Sequence, residues 1–166
     1  MNHPLSAQDV IHLLDLLPLD GEGGFFRQTY KCQDSGLSEW GAKRHFGTAI
    51  YYLVTPENFS ALHRVKNDEL FHFYAGDAVE MFQLSPGGEA NSILIGNDLK
   101  AGQRPQVLVP RNFWQGVKLL PGGSWALLGA TVSPGFEYED FELGMREALS
   151  RQYPQHCAKI QAYTKA

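Results

Sequence analysis

One short segment, from His63 to Asp77, holds the residue types best suited to acid–base or metal chemistry. His63 and Val65 are two residues apart, so on a strand they point to the same face. Glu69 opens the next apolar run, and Gly76 then marks a turn. The spacing predicts two strands that aim an imidazole and a carboxylate into the interior of a small β-barrel.

An imidazole and a carboxylate that converge in a barrel are suited to proton transfer. Histidine titrates near neutral pH, and a glutamate within reach can orient it or hold a positive charge on it. His72 does not extend this pair, because strand alternation places His72 on the opposite face from Glu69 unless a bulge intervenes. A polar pair with no catalytic role stays open as the alternative for His63 and Glu69.

The elements that position these residues are mostly short β-rich runs separated by glycine and proline. We predict strands over 25–32, 48–54, 59–65, 69–74, 79–84, 92–95, 106–109, 113–119 and 125–132. Helices are predicted only near the ends: Ser6 can cap one that stops at Pro18, and a second covers 140–152. The acidic residues of 137–142 are interpreted as the solvated start of that second helix. This pattern is typical of a sandwich or barrel.

Length and charge restrict the function classes. The 166 residues predict one domain over 1–166, with its core at about 20–135 and the terminal helices outside. A net charge of −4 argues against a nucleic-acid binder, and no basic run could anchor the chain to a membrane. Two cysteines are too few for a disulfide framework, and the N-terminus lacks a signal-peptide pattern. We therefore expect a cytoplasmic protein.

The His63 to Gly76 segment resembles the first motif of the cupin superfamily, H-x-H-x3-E-x6-G, with Val65 at the second histidine. The segment that begins at Pro110 resembles the second motif, P-x-G-x-x-H, but Gln115 replaces its histidine. A cupin metal centre takes three histidines and one carboxylate, and only two of these four ligands are retained here. We therefore expect no metal and no other cofactor.

Longer stretches are similar to an uncharacterised single-domain cupin subfamily: 24–30, 48–53, 63–77, 102–110 and 130–142. Its fold resembles seed storage globulins and nucleotide-sugar 3,5-epimerases. The resemblance implies a mostly β double-stranded β-helix (jelly roll) with short flanking helices, in a homodimer that pairs sheets. Those epimerases work without metal and use a barrel histidine as base, and His63 matches that position. Tyr74 and Tyr52 are candidates for the tyrosine acid.

The predicted site therefore combines a catalytic group with a ligand-binding group. The catalytic candidates are His63, Glu69 and Tyr74, and the ligand-binding candidates are Arg27, Tyr52, Phe71, Trp114 and Gln115. A buried arginine would suit a phosphate or carboxylate, and aromatic side chains could stack on a sugar or base. The alternatives are an exposed strand charge for Arg27 and core packing for the aromatic residues.

Three functions fit these residues. The first is a metal-free cupin that binds a small polar ligand, such as a sugar or nucleotide derivative, and isomerises or epimerises it through His63. The second is a non-catalytic structural or storage-like oligomer, which predicts a barrel filled by side chains. The third is a metal-dependent oxygenase or isomerase in which His72 or Gln115 supplies an extra ligand.

Overall fold

The computed structural model describes residues 5–165, and two facing β-sheets form its body. The strands are β1 Leu17–Pro18, β2 Phe25–Lys31, β3 Ser35–Leu37, β4 Lys43–His45, β5 Thr48–Val54, β6 Ser60–Val65, β7 Asp68–Gly76, β8 Val79–Leu84, β9 Ala90–Ile95, β10 Gln106–Val109, β11 Trp114–Leu119, β12 Ala126–Ser133 and β13 Phe141–Leu143. One sheet has six strands in the order β1-β2-β5-β12-β7-β10, and the other has five in the order β13-β6-β11-β8-β9. Strands β3 and β4 form a separate hairpin. The architecture is the predicted jelly roll.

The main core lies between the two sheets. Alternate residues of each strand point inward, as the period of two requires. Tyr52, Phe71 and Leu128 of the larger sheet are fully buried with Met81 and Val117 of the smaller sheet. Burying such side chains contributes about 1.5–3 kcal/mol each, so this layer holds the sheets together and fixes the strand ends that carry the polar residues.

Three helices cover the outer faces. Helix α1 (Ala7–Leu13) begins at the predicted cap, Ser6, which forms a capping box with Asp9, and Val10 packs the helix on Leu53 of the larger sheet. The helix ends at Leu13 and not at the predicted Pro18, because Leu17 and Pro18 pair with β2 as strand β1. Helices α2 (Arg146–Gln152) and α3 (Cys157–Tyr163) cover the smaller sheet. None of the helices within residues 5–165 has the length and apolar character needed to cross a membrane.

The helix predicted over 140–152 is wrong in its first half. Residues Tyr138–Asp140 form a 3-10 turn, and β13 then pairs with β6, bringing Phe141 opposite Val65. Asp140 is only 3% exposed and accepts hydrogen bonds from Arg44 Nε (2.6 Å) and Nη2 (2.9 Å), so it is not a solvated helix start. Strand pairing and this buried ion pair override the local helical pattern.

Candidate functional site

A cavity of about 120 Å³ lies at one end of the barrel, between the sheets. Its lining residues come from β2, β5, β6, β7, β12, β13, the β1–β2 loop and the segment that leads into β13. They are Leu19, Asp20, Glu22, Phe26, Gln28, Thr48, Ile50, Tyr52, His63, Val65, Glu69, Phe71, Ala130, Val132, Phe136, Tyr138 and Phe141. Asp20, Gln28 and Tyr138 are exposed and mark the mouth.

Three polar side chains are joined by hydrogen bonds within the barrel. Strand β11 places Gln115 opposite His63 of β6, and β7 contributes Glu69. The Gln115 amide Nε2 lies 2.7 Å from His63 Nε2 and donates to Glu69 Oε2 at 3.1 Å. All three residues are at most 7% exposed. The predicted meeting of an imidazole and a carboxylate is therefore present, with Gln115 between them.

This arrangement fixes the tautomer of His63. Because the Gln115 amide group is a donor, His63 Nε2 accepts and the ring proton lies on Nδ1. Nδ1 donates to the carbonyl oxygen of Ala61 at 2.8 Å, and Phe141 stacks on the ring at 5.2 Å between centroids. The imidazole is held in one orientation by these contacts.

Burial raises the pKa of Glu69 to about 7. Loss of water disfavours the charged carboxylate and is the main cause, and Glu22 adds repulsion. His63 and the Gln115 hydrogen bond act in the opposite direction and lower the pKa. The Gln115 bond engages Oε2, so Oε1 is the oxygen that it leaves for a ligand. A carboxyl group with this pKa can give or take a proton at neutral pH.

Glu22 is a site residue that the sequence reasoning missed. Its Oε1 accepts from Ser60 Oγ at 2.9 Å and lies 3.8 Å from His63 Nδ1. Glu22 lies in a glycine-rich loop, in which Gly24 has φ +72° and a Cβ there would lie 2.8 Å from the Leu53 carbonyl oxygen. Only glycine fits that position. A glutamate enclosed by glycines just before a strand was the available signal.

Tyr52 and Phe71 line the cavity, as predicted for ligand-binding residues. The Tyr52 hydroxyl donates to the Gly23 carbonyl oxygen at 2.8 Å, which ties β5 to the loop that carries Glu22. Burial raises the pKa of Tyr52 well above its ordinary value, so the phenol stays protonated. Contact of Tyr52 and Phe71 with a ligand stays a prediction, as do the catalytic roles of His63 and Glu69.

Two residues placed in the site by sequence lie on the outer face of the larger sheet instead. Phe26 and Gln28 of β2 point into the cavity, so alternation turns Arg27 outward, with Nη1 3.6 Å from Asp15 Oδ2. Tyr74 is 49% exposed and stacks on His72, which had been expected to face outward. The expectation that Arg27 and Tyr74 line the barrel is therefore corrected.

Trp114 also lies outside the barrel, contrary to the prediction that it contacts a ligand there. Gln115 of β11 points into the barrel, so its neighbour Trp114 points to the outer face of the smaller sheet. There it packs in the cluster that holds α2 and α3, with the Arg64 guanidinium 4.5 Å above its ring. Trp114 is a packing residue rather than a stacking platform for a ligand.

The residues present do not fit the metal centre of other cupins. Val65 lines the cavity where a second histidine would stand, and a hydrocarbon side chain cannot bind a metal. Gln115 donates to His63 Nε2, the nitrogen atom that a metal would need. Within the described part of the chain, no group of three or more His, Cys, Asp or Glu residues is arranged to hold a metal ion.

Comparison with known proteins agrees with this fold. The solved structures that are similar to this chain include a hypothetical protein from Leishmania major (TM-score 0.93, 30% identity, covering 98% of this chain and 100% of that chain). Another is protein SO0799 from Shewanella oneidensis (TM-score 0.89, 36% identity, covering 98% and 99%). The uncharacterised yeast protein YML079W of Saccharomyces cerevisiae is 28% identical over 151 residues, which cover 82% of this chain and 74% of that protein.

The family match is equally extensive. Residues 8–144 match the family described as "Cupin superfamily (DUF985)". That span runs from α1 through β13 and includes every residue that lines the cavity. The chain therefore belongs to this DUF985 family of the cupin superfamily.

Proposed function

We propose that this cupin binds a small polar molecule in the barrel and moves a proton on it without a metal, as an isomerase or epimerase does. The observation that carries the proposal is the hydrogen-bonded set of Glu69, Gln115 and His63, buried beside a cavity. Buried polar groups at a cavity are typical of binding and catalytic sites. The pKa of Glu69, at about 7, adds the ability to act as acid and base at neutral pH.

Glu69 is the proton carrier in this scheme. Its carboxylate removes a proton from a carbon next to a carbonyl group, and the C–H electron pair moves to the carbonyl oxygen to give an enolate. Return of the proton to the other face of that carbon, after the enolate has turned over in the cavity, gives the epimer, so no oxidant or reductant is needed. Gln115, itself bound to His63, fixes the Oε2 atom of Glu69 and directs the carboxyl group. His63 acts through this network, and not as the base that the resemblance implies, because both of its ring nitrogens are engaged.

The cavity limits the size of the ligand. A cavity of about 150 Å³ in another protein holds one benzene ring, and this one measures about 120 Å³. The cavity therefore encloses at most one ring, and the rest of a sugar derivative would lie at the mouth. The nucleotide part of a nucleotide derivative would lie at the mouth, beside Tyr138, which is 66% exposed.

A structural or storage-like oligomer is the second candidate, favoured by the same volume. About 120 Å³ is below the roughly 300–1,000 Å³ usual for ligand pockets. The outer face of the larger sheet also carries the exposed apolar residues Leu108 and Tyr74, which supports the expected homodimer. In this alternative, the barrel and its interfaces are the whole function.

The cytoplasm is the proposed location. Cys32 and Cys157 are both free thiols, which suits a reducing compartment. Measurement of the native protein in cell fractions checks this expectation, and recovery from an oxidising compartment would contradict it.

Native mass spectrometry with elemental analysis, on protein purified without chelator, tests the proposal. We expect a small-molecule mass on the protein and no stoichiometric metal. That molecule is then incubated in D₂O with the wild type, with Glu69→Gln and with the surface control Glu57→Gln. Deuterium should enter next to the carbonyl group with the wild type and the control, and at least about 100-fold more slowly with Glu69→Gln. A stoichiometric metal would contradict the metal-free scheme, and protein without bound mass or exchange would favour the structural oligomer.

A further inference from the structure

The charged residues that line the cavity are almost all of one sign. Asp20, Glu22 and Glu69 contribute three carboxyl groups, and His63 contributes an imidazole. The lining contains no lysine or arginine. A ligand that enters this space therefore meets acceptors and negative charge.

The three carboxyl groups also lack cationic partners in the protein. Among residues 5–165, none of them forms an ion pair with a lysine or an arginine. Glu22 has only the His63 ring at 3.8 Å. Lys165 lies beside Gly23 but outside the cavity lining. Glu22 and Glu69 are largely removed from water, where a carboxylate without an opposite charge is destabilised, and a bound cation would relieve this.

Aromatic rings supply nearly half of the remaining lining residues. Phe26, Tyr52, Phe71, Phe136, Tyr138 and Phe141 all line the cavity. The face of an aromatic ring is negative and attracts an ammonium group, most strongly where water is excluded. Aromatic walls and carboxylates together form a common recognition surface for organic cations.

We propose that the cavity selects a small cationic amine of one-ring size, such as an amino sugar. The inference rests on the proposed function, because it requires the cavity to be a ligand site, and it narrows the ligand class by charge. The carboxylates of Asp20 and Glu22 attract the ammonium group at the mouth side, where their loop lies, and the aromatic rings enclose it. Anionic ligands are disfavoured, because phosphate and carboxylate groups require the arginine or lysine that this lining lacks.

Three pyranoses of the same size test the charge selection: glucosamine, glucose and glucuronate. Their binding is measured by isothermal titration calorimetry at about pH 6.5 and low ionic strength, on protein freed of any molecule retained in purification. We expect glucosamine to bind at least tenfold more tightly than glucose, and glucuronate to bind most weakly.

Two variants assign that selectivity to the carboxylates. Glu22→Gln removes the charge and keeps the acceptor oxygen for Ser60. Asp20→Asn removes the charge of an exposed residue at the mouth, where folding is not at risk. We expect each variant to reduce the preference for glucosamine over glucose by at least threefold. The surface control Glu57→Gln removes a carboxylate away from the cavity and should leave the preference unchanged.

The outcomes separate this inference from the proposed function. Equal or tighter binding of glucose or glucuronate would overturn selection for a cation and would leave the ligand site intact. An unchanged preference in both variants would also overturn it. If no pyranose of any charge binds, the inference fails, and the native mass of the purified protein then decides whether the cavity is a ligand site.

Discussion

Replacement of Glu69 by glutamine should change the pH dependence of folding stability. Burial raises the pKa of this carboxyl from 4.5 to about 7 in the folded chain. Between these pH values the folded protein binds a proton that the unfolded chain does not hold, so protonation stabilises the fold. The stability is fully present below about pH 4.5 and is lost as the pH rises through about 7.

The size of the stability difference follows from the change in the pKa of Glu69 on folding. A change from 4.5 to about 7 corresponds to about 3 kcal/mol, at about 1.4 kcal/mol per pKa unit. Glutamine has the shape of a protonated glutamate and cannot ionise, so Glu69→Gln does not lose this stability at high pH. Relative to the wild type, the variant should gain about 3 kcal/mol between pH 4.5 and pH 8, or about 6–12 °C in Tm.

Urea unfolding of both proteins across that pH range measures the difference. In the difference between the two proteins, the contribution of every group that titrates equally in both cancels. Glu57→Gln serves as the exposed control, and its stability profile should be parallel to that of the wild type. Parallel profiles for Glu69→Gln and the wild type would refute the argument that burial holds this carboxyl protonated.

Three further predictions use matched controls. Asp140→Asn should destabilise the fold by about 3–5 kcal/mol because it breaks a buried pair with Arg44, whereas Glu142→Gln at the exposed pair with Arg64 should cost less than about 1 kcal/mol; equal effects in urea unfolding would contradict this. Gly24→Ala should lower Tm more than Gly21→Ala, because both have positive φ but only position 24 lacks room for a Cβ; equal Tm values would contradict the steric argument. Leu108→Arg should convert the proposed homodimer to monomer in light scattering, with Leu99→Arg on a turn as control; a dimer that survives Leu108→Arg would place the interface elsewhere.

The strands could be predicted because alternation and turn residues are local properties. Strands β5, β8 and β10 match the predicted 48–54, 79–84 and 106–109. His63 and Glu69 could be brought together because each lies on an inward position of a well-defined strand. The short strands β1, β3, β4 and β13 were missed, since two or three residues carry no detectable period.

The site residues that were wrongly placed or missed have a different explanation. Tyr74 shares the face of β7 that carries His72, so the alternation that placed His72 opposite Glu69 also argued against Tyr74 as a barrel residue. Arg27 and Trp114 are each next to an inward-facing residue, and sequence alone does not fix which of two neighbours points inward. Glu22 enters the site through a loop, so strand alternation could not reveal it. Gln115 was predicted as a ligand contact or, in the metal-dependent alternative, as an extra metal ligand. Its bonds to His63 and Glu69 depend on the pairing of β11 with β6. These contacts depend on which strands and loops meet in the folded chain, and local sequence pattern does not reveal that.

A carbon-13 NMR titration of the Glu69 carboxyl group tests the central claim most directly. Protein labelled at the glutamate side-chain carboxyl is titrated, and the resonance missing from Glu69→Gln identifies the residue. We predict a midpoint at about pH 7, because this carboxyl group is buried beside Gln115 and His63. A midpoint at or below 4.5 would show an ordinary solvated carboxylate and would contradict its role as the proton carrier of the barrel.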